Sequence, residues 1–189
     1  MPDSGFTLPD PGYFSLLTAP LKRMTRPALR LYTRGGKCLD RITLQAGGAS
    51  WPGLKLRLRI RNTSQFADIP GCQIYLRRIE GPRGLLDMES SRLIWSIEPN
   101  RDEWLTPKLI LRGTVGEKYV DLCSVDQRTP YLQIMSERYL HGGHRFTDGG
   151  IYVLHVQPIV PGRRHSLETR IRVSYDPSNW QATDVVDAS

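Results

Sequence analysis

The chain has 189 residues, of which 39% are hydrophobic and 24% are charged, and its formal net charge is +7. This length suits one domain with extended arms and is short for two full domains. The composition excludes a disordered chain, which would be poorer in aliphatic and aromatic residues. No window approaches the roughly 18 uninterrupted apolar residues of a transmembrane helix, so the sequence predicts no membrane span.

The positive charge is spread unevenly. Residues 1–83 hold most of the excess, whereas residues 84–126 carry more acidic than basic side chains. Such a basic chain invites a nucleic-acid hypothesis. However, 21 of the 26 basic residues are arginine, and a genome-wide codon bias would produce the same excess.

Residues 1–36 combine Pro, Gly and Asp with the basic run LKRMTRPALR and predict a mostly irregular, basic N-terminal arm. The first residues include Asp where an export signal requires Lys or Arg. Cys38, Cys72 and Cys123 form an odd and widely spaced set, which predicts neither a disulfide framework nor a metal knuckle. We therefore expect a cytoplasmic protein that contains idle thiols and requires no cofactor.

Eight or nine short segments between turn signals predict strands, and no segment keeps a helical period. In chain order they are CLDRITL, LKLRLRIRN, CQIYLRRI, RLIWSI, KLILRG, EKYVDLCSV, YLQIM, GIYVLHVQP and LETRIRVSY. The sequence thus predicts an all-β, antiparallel sandwich over residues 37–176, followed by a polar C-terminal tail at 177–189.

The spacing of four residues near position 150 resembles a sequence pattern that marks immunoglobulin-like domains. Asp148, Gly150, Tyr152 and Leu154 match the pattern that opens strand F, where a corner tyrosine bonds back to the backbone near the turn. LRLRIRNTS, CQIYLRRIEG and EKYVDLCSVD also resemble segments of a broad group of bacterial β-sandwich modules, over residues 30–175. Leu154 stands where antibody-type domains have their second disulfide cysteine, so an intersheet disulfide is not expected.

The resemblance implies strand B at residues 54–61, C at 73–79, E at 117–123, F at 151–157 and G at 167–173. Alternation along these strands then predicts the residues of the core, with Trp95 as its central aromatic. The predicted core positions are Leu54, Leu56, Leu58, Ile60, Ile74, Leu76, Val120, Leu122, Tyr152, Leu154, Val156, Ile171 and Val173.

The first candidate site is the basic row of strand B, formed by Lys55, Arg57, Arg59 and Arg61. Four cations about 7 Å apart make a line that could follow a phosphate backbone. Strand E, however, would present Glu117 and Asp121 on the same side, and ion pairs would then absorb the charge. The row also contains no aromatic residue for base stacking. A solvated strand face is therefore the favoured interpretation.

The second candidate is the outer face of strands C, F and G. Its predicted members are Tyr75, Arg77, Ile151, Val153, His155, Arg170 and Arg172. Exposed apolar residues beside Arg and Tyr are typical of a protein interface. The alternative is that the arm covers this sheet through Phe14, Leu16 and Leu17.

Other candidate sites are weaker. His141 and His144, with His155 and His165 elsewhere, give at most a fragment of a zinc site. Glu98, Asp102 and Glu103 lie in a polar loop, and the GPRG segment at 81–84 is too short for a phosphate loop. Trp51, Trp104 and Trp180 are not grouped in the sequence.

We predict a non-catalytic interaction module that binds a protein partner or a second copy through the outer C/F/G face, with no metal or small-molecule ligand. The alternative is a sequence-nonspecific nucleic-acid binder that uses the basic row of strand B and the arm. The arm's cations in that alternative are Lys22, Arg23, Arg26 and Arg30.

Overall fold

A computed structural model describes residues 29–35, 37–64, 67–87, 89–96, 103–113, 117–128, 131–138, 144–162 and 168–188. Two antiparallel sheets pack against each other, which confirms the predicted all-β sandwich. The described residues contain no α-helix, and none of their helical segments has the length and apolarity that crossing a membrane requires.

Fourteen strands lie within the described residues. In chain order they are β1 (Leu29–Tyr32), β2 (Leu39–Ala46), β3 (Ala49–Asn62), β4 (Ile69–Gly81), β5 (Gly84–Asp87), β6 (Ser91–Arg92), β7 (Ile94–Trp95), β8 (Lys108–Ile110), β9 (Lys118–Asp126), β10 (Leu132–Ile134), β11 (Arg145–Phe146), β12 (Gly150–Ile159), β13 (Thr169–Tyr175) and β14 (Asp184–Ala188).

The first sheet is built around β3. Strands β1 and β2 pair with β3 along one edge, and β9 pairs along the other, followed by β10 and β11. The second sheet has the order β14, β13, β12, β4, and the short strands β5, β6 and β8 share the remaining edge of β4. Strand β7 pairs with β9 in the first sheet.

The hairpin between β2 and β3 turns at two glycines. Gly47 and Gly48 have φ values of 58° and 80°, and Ala46 lies opposite Ala49. A two-residue turn with positive φ at both positions matches the twist of the flanking strands and favours glycine. Strand β3 therefore begins at Ala49, five residues before the alternating segment that predicts it.

The core between the sheets is the one that alternation predicts. Trp95 and all thirteen predicted core positions are buried and belong to one cluster. Residues that point to one face of a strand recur at every second position, which is why the leucines of LKLRLRI face inward and its cations face outward.

The corner tyrosine makes the predicted bond. The hydroxyl of Tyr152 donates a hydrogen bond to the backbone carbonyl of Asp148, at 2.7 Å. Gly150 between them has φ of 139°, and a Cβ there would lie 2.6 Å from Pro82 Cγ. Glycine is therefore required at this turn both by its backbone and by its neighbour.

Two segments predicted to lie outside the sandwich contribute strands. Strand β1 comes from the predicted arm and lies against the end of β3, and β14 comes from the predicted tail and pairs with β13. A register shift between Arg172 and Val173 leaves Val186 as an extra residue of β14, and Val186 is exposed whereas Val185, opposite Val173, is buried. The predicted cover by Phe14, Leu16 and Leu17 falls outside the described residues.

The segment RLIWSI is not the single strand that its sequence predicts. Strand β6 pairs with β4 in the second sheet, and β7 pairs with β9 in the first. Between them Leu93 donates its backbone N–H to Ile74 at 2.8 Å, and Ile94 donates to Met135 at 3.1 Å. The chain thus crosses from one sheet to the other at Leu93.

Because its cysteines are buried, we expect the protein to lose stability at alkaline pH. Cys38, Cys72 and Cys123 are buried and free. Burial raises the pKa of the Cys72 thiol from 9.0 to about 12, and burial also raises the pKa of Cys123. Above about pH 9 the unfolded chain releases these protons while the folded chain retains them. The free energy of unfolding should therefore fall by up to about 1.4 kcal/mol per pH unit for each thiol between pH 9 and 12.

Urea unfolding under reducing conditions at pH 8, 9, 10 and 11 measures this slope. Cys72→Ala is the matched comparison, because it removes one thiol and should make the slope shallower. A stability that stays constant over this range would contradict the prediction.

Candidate functional site

The basic row of β3 lies on the outer side of the first sheet, opposite the core-facing leucines. Its four cations do not form a continuous solvent-exposed row. Arg57 is 6% exposed, and Lys55 and Arg59 are only partly exposed. The surrounding side chains therefore decide what this row can bind.

Asp121 of β9 neutralises the middle of the row. Its Oδ1 accepts from Arg57 Nε at 2.9 Å, and its Oδ2 accepts from Lys55 Nζ at 3.0 Å. The hydroxyl of Ser96 also donates to Oδ1. Arg57 Nη1 is in turn 2.6 Å from Asp40 Oδ2 on β2. Charged groups buried at this depth require such partners.

A bulge between β3 and β9 sets this geometry. Leu56 lies opposite Cys123, whereas Arg57 lies opposite Asp121, so Leu122 is an extra residue on β9. Leu122 and Cys123 can therefore both contribute to the core while Asp121 remains on the outer side with Arg57. An extra residue of this kind shifts the face of everything beyond it.

The far end of the row is paired less completely. Arg59 Nη1 lies 3.6 Å from Glu117 Oε1, and its guanidinium stands 4.8 Å from the centre of the Tyr32 ring. Arg61 lies opposite Arg30 of β1, and neither makes an ion pair within the described residues. The pairing of Glu117 and Asp121 with the row is thus confirmed.

The outer face of the second sheet has a different character. Arg170 and Arg172 on β13 are exposed, and neither has an ion-pair partner in the described part of the chain. On the adjacent strand β12, Ile151 and Val153 are half-buried, and Val153 lies directly opposite Arg172. Cationic and apolar surface therefore alternate across this face.

Two further predicted members lie on β4 and contact each other. The Arg77 guanidinium stands 5.1 Å from the centre of the Tyr75 ring. Arg77 also donates to Gln157 and to Ser90, each at 2.7 Å. These contacts hold Arg77 in one orientation on the face.

His155 lies on this face but is not accessible, which corrects its predicted place among the contact residues. It is 1% exposed. Its Nδ1 is 2.6 Å from Glu168 Oε1, and its Nε2 is 3.0 Å from Glu80 Oε1. Arg78 Nη2 is 2.9 Å from the same Glu80 oxygen and 3.2 Å from His155 Nε2.

A second bulge explains why strict alternation misplaces these residues. His155 lies opposite Arg78, whereas Val156 lies opposite Leu76, so Arg77 is the extra residue of β4. Arg78 and Glu80 therefore join Arg77 on the outer side, while Ile79 reaches the core. Glu80 and Arg78 are the residues of this face that sequence alternation misses.

Among the weaker candidates, His144, Glu103 and the glycines at 81 and 84 lie in the described part of the chain. His144 contacts Asp87, which also accepts from Arg138 at 3.0 Å, and this is a charged contact at the end of β5. Within the described residues no group of three or more His, Cys, Asp or Glu is placed to hold a metal ion. Gly81 and Gly84 flank the tip of the hairpin between β4 and β5.

The tryptophans have separate neighbours. Arg128 stacks over Trp51 at 4.4 Å, Trp104 accepts a backbone hydrogen bond from Trp95 at 2.8 Å, and Trp180 packs against the core.

The residues Lys22, Arg23, Arg26, Glu98, Asp102, His141 and His165 lie outside the described part of the chain. The chain matches no family model, no curated protein and no solved structure.

Proposed function

We propose that this protein is a non-catalytic interaction module that binds a protein partner through the outer face of β4, β12 and β13. One observation carries the proposal. Arg170 and Arg172 remain exposed and make no ion pair in the described residues, directly beside half-exposed Val153, and Asp187 of β14 lies opposite Arg172 in the strand register. The cations of the opposite sheet, by contrast, are largely paired within the molecule.

The contact chemistry of this face supports a partner that is acidic and partly apolar. Arg and Tyr are enriched where interfaces have their strongest contacts. Arg77 is already held by Gln157, Ser90 and the Tyr75 ring, so little side-chain freedom is lost when a carboxylate binds it. Arg170 and Arg172 would then be the electrostatic contacts and Val153 the apolar one.

We also propose that the sandwich is of the immunoglobulin-like type. Strand β12 lies between β4 and β13, and β3 pairs with β9, which is the neighbour relation expected of strands C, F, G and of B, E. The bond from Tyr152 to Asp148 supports the same assignment. Three free, buried cysteines suit a reducing compartment, and we propose a cytoplasmic location.

The nucleic-acid alternative loses most of its support. A phosphate track needs unpaired cations, because affinity comes from replacing counterions of the phosphates. Lys55, Arg57 and Arg59 each already face a carboxylate. Arg61 and Arg30 lie opposite each other and make no ion pair in the described part of this sheet.

The triple variant Val153→Asp, Arg170→Glu, Arg172→Glu tests the interface. It replaces one apolar and two cationic contacts with acids, and we expect association to weaken about 100-fold or more. Size-exclusion chromatography with light scattering measures self-association of the full chain. Quantitative cross-linking mass spectrometry in the cells that produce the protein measures a different partner.

The matched control is Leu39→Asp with Arg112→Glu and Arg145→Glu, which makes the same charge change at exposed positions elsewhere. This control should associate as the unmodified chain does. Unchanged association of the face variant would contradict the proposal, as would a wild-type chain that binds neither itself nor another protein. A salt-dependent affinity for DNA or RNA would favour the alternative.

A further inference from the structure

A cavity of about 470 Å³ lies on the outer side of the first sheet, away from the proposed protein interface. Strands β2, β3, β7 and β9 all contribute to its lining, together with Trp104 and Met135. Pockets for small organic molecules commonly have this volume. The cavity therefore raises the question of which ligand its surface would accept.

The floor of the cavity is a fixed ionic network. Asp121 accepts from Lys55, Arg57 and Ser96, so both of its oxygens are already engaged. Asp40 accepts from Arg57 Nη1. Each carboxylate holds the Arg57 side chain in place.

The basic side chains of this network have more N–H donors than the two carboxylates accept. The Lys55 ammonium has three N–H donors and uses one, on Asp121. The Arg57 guanidinium uses Nε and Nη1, and its Nη2 group makes no hydrogen bond to the described residues. Lys37 at the rim is exposed and has no ion-pair partner there.

The charges of the lining residues also favour an anionic ligand. Among the described residues that line the cavity, Lys37, Lys55 and Arg57 are cations and Asp40 and Asp121 are carboxylates. This leaves one uncompensated positive charge. A ligand with one negative charge would balance this charge and accept hydrogen bonds from several of the remaining N–H donors.

The rest of the cavity lining is an apolar wall, in which Ile94 of β7 lies directly beside Asp121 of β9. Ile94 and Met135 are buried there, and Trp104 is half-buried. Trp95 donates its backbone N–H to the Trp104 carbonyl at 2.8 Å, which anchors Trp104 to β7. An aromatic or branched apolar group would exclude water from this wall.

From this combination we propose that the cavity binds a small organic carboxylate whose flat apolar body lies against Trp104 and whose anionic end meets Lys37, Lys55 and Arg57. This activity is separate from the proposed protein binding, and it departs from the expectation that no small molecule binds. The sequence could not reveal the site because its residues come from segments up to about a hundred positions apart.

The probe is indole-3-acetate, and its neutral isostere indole-3-acetamide is the comparison. Both are titrated into the full chain and followed by ¹H–¹⁵N correlation spectra. A ligand of this size should bind with a Kd of roughly 0.1–1 mM. We expect the carboxylate to bind about 10-fold more tightly than the amide, because the neutral amide cannot make a charge-assisted hydrogen bond. The shifts should cluster at Lys55, Arg57 and Trp104.

Two variants locate the binding. Lys37→Met should weaken binding of indole-3-acetate about 5-fold, and Trp104→Leu about 10-fold. Arg34→Met is the matched control, because it removes an exposed cation near Lys37 that does not line the cavity. It should leave the affinity unchanged. Melting temperatures of all variants exclude loss of fold as the cause.

Four results would overturn the proposal. The first is equal affinity for the acid and the amide, and the second is no saturable shift up to 10 mM. The third is full competition by inorganic phosphate at equal concentration, which would indicate a simple anion site without an apolar subsite. Shifts confined to Arg170, Arg172 and Val153 would also overturn it while leaving the proposed protein interface intact.

Discussion

Replacing Asp121 with Ala is expected to lower the free energy of unfolding by about 3–5 kcal/mol. Asp121 is 4% exposed, and Arg57 beside it is 6% exposed. Without the carboxylate, Arg57 Nε and Ser96 lose their acceptor, and Lys55 loses its only ion pair in the described residues. The cost comes mainly from a buried guanidinium that retains only Asp40 as a partner.

Urea unfolding followed by circular dichroism measures the loss. Glu117→Gln is the control, because its contact with Arg59 is longer, at 3.6 Å, and both side chains are more exposed. It should cost less than about 1 kcal/mol. The double variant Arg57→Met, Asp121→Leu removes both charges and should recover most of the stability. A loss below 1 kcal/mol for Asp121→Ala would show that the network does not stabilise the fold.

This network also shows how far the sequence can predict a site. Strict alternation in LKLRLRIRN predicts both the inward leucines and the outward cations, and the position of EKYVDLCSV predicts that Glu117 and Asp121 face them. Asp40 and Ser96 could not be predicted as partners. They come from other segments, and nothing local in the sequence states which strands become neighbours.

The bulge in β4 is the main source of error. Alternation assumes a constant register, but one extra residue moves every later side chain to the other face. Arg77 is such a residue, so Arg78 and Glu80 unexpectedly join the outer face and enclose His155. In the sequence this bulge leaves only a doubled polar pair, RR, in an otherwise alternating strand.

The sequence also fails to predict two short strands, the first and the last of the described sandwich. Strands β1 and β14 have four and five residues, which is too few for a periodic signal. Each is stabilised by pairing with a longer strand, β3 or β13, whose position the sequence alone does not give. The larger alternating strands, by contrast, contain their own buried face and are predicted correctly.

Trp95→Ala is expected to cost about 3–5 kcal/mol. Trp95 is 2% exposed in the core cluster and lies opposite Val120. It follows the point where the chain crosses between the sheets at Leu93, so the cavity left by the indole would lie beside both sheets. Its backbone bond to Trp104 also connects this part of the core to the wall of the outer cavity.

The melting temperature of Trp95→Ala should therefore fall by roughly 10 °C, since each kcal/mol corresponds to about 2–4 °C at this chain length. Differential scanning calorimetry measures this value. Trp180→Ala is the matched control, because Trp180 is only half-buried at the edge of the same cluster and should cost clearly less. Trp95→Phe should lie between the alanine variant and wild type, since it leaves a smaller void. Equal losses at Trp95 and Trp180 would show that the crossing between the sheets does not depend on this side chain.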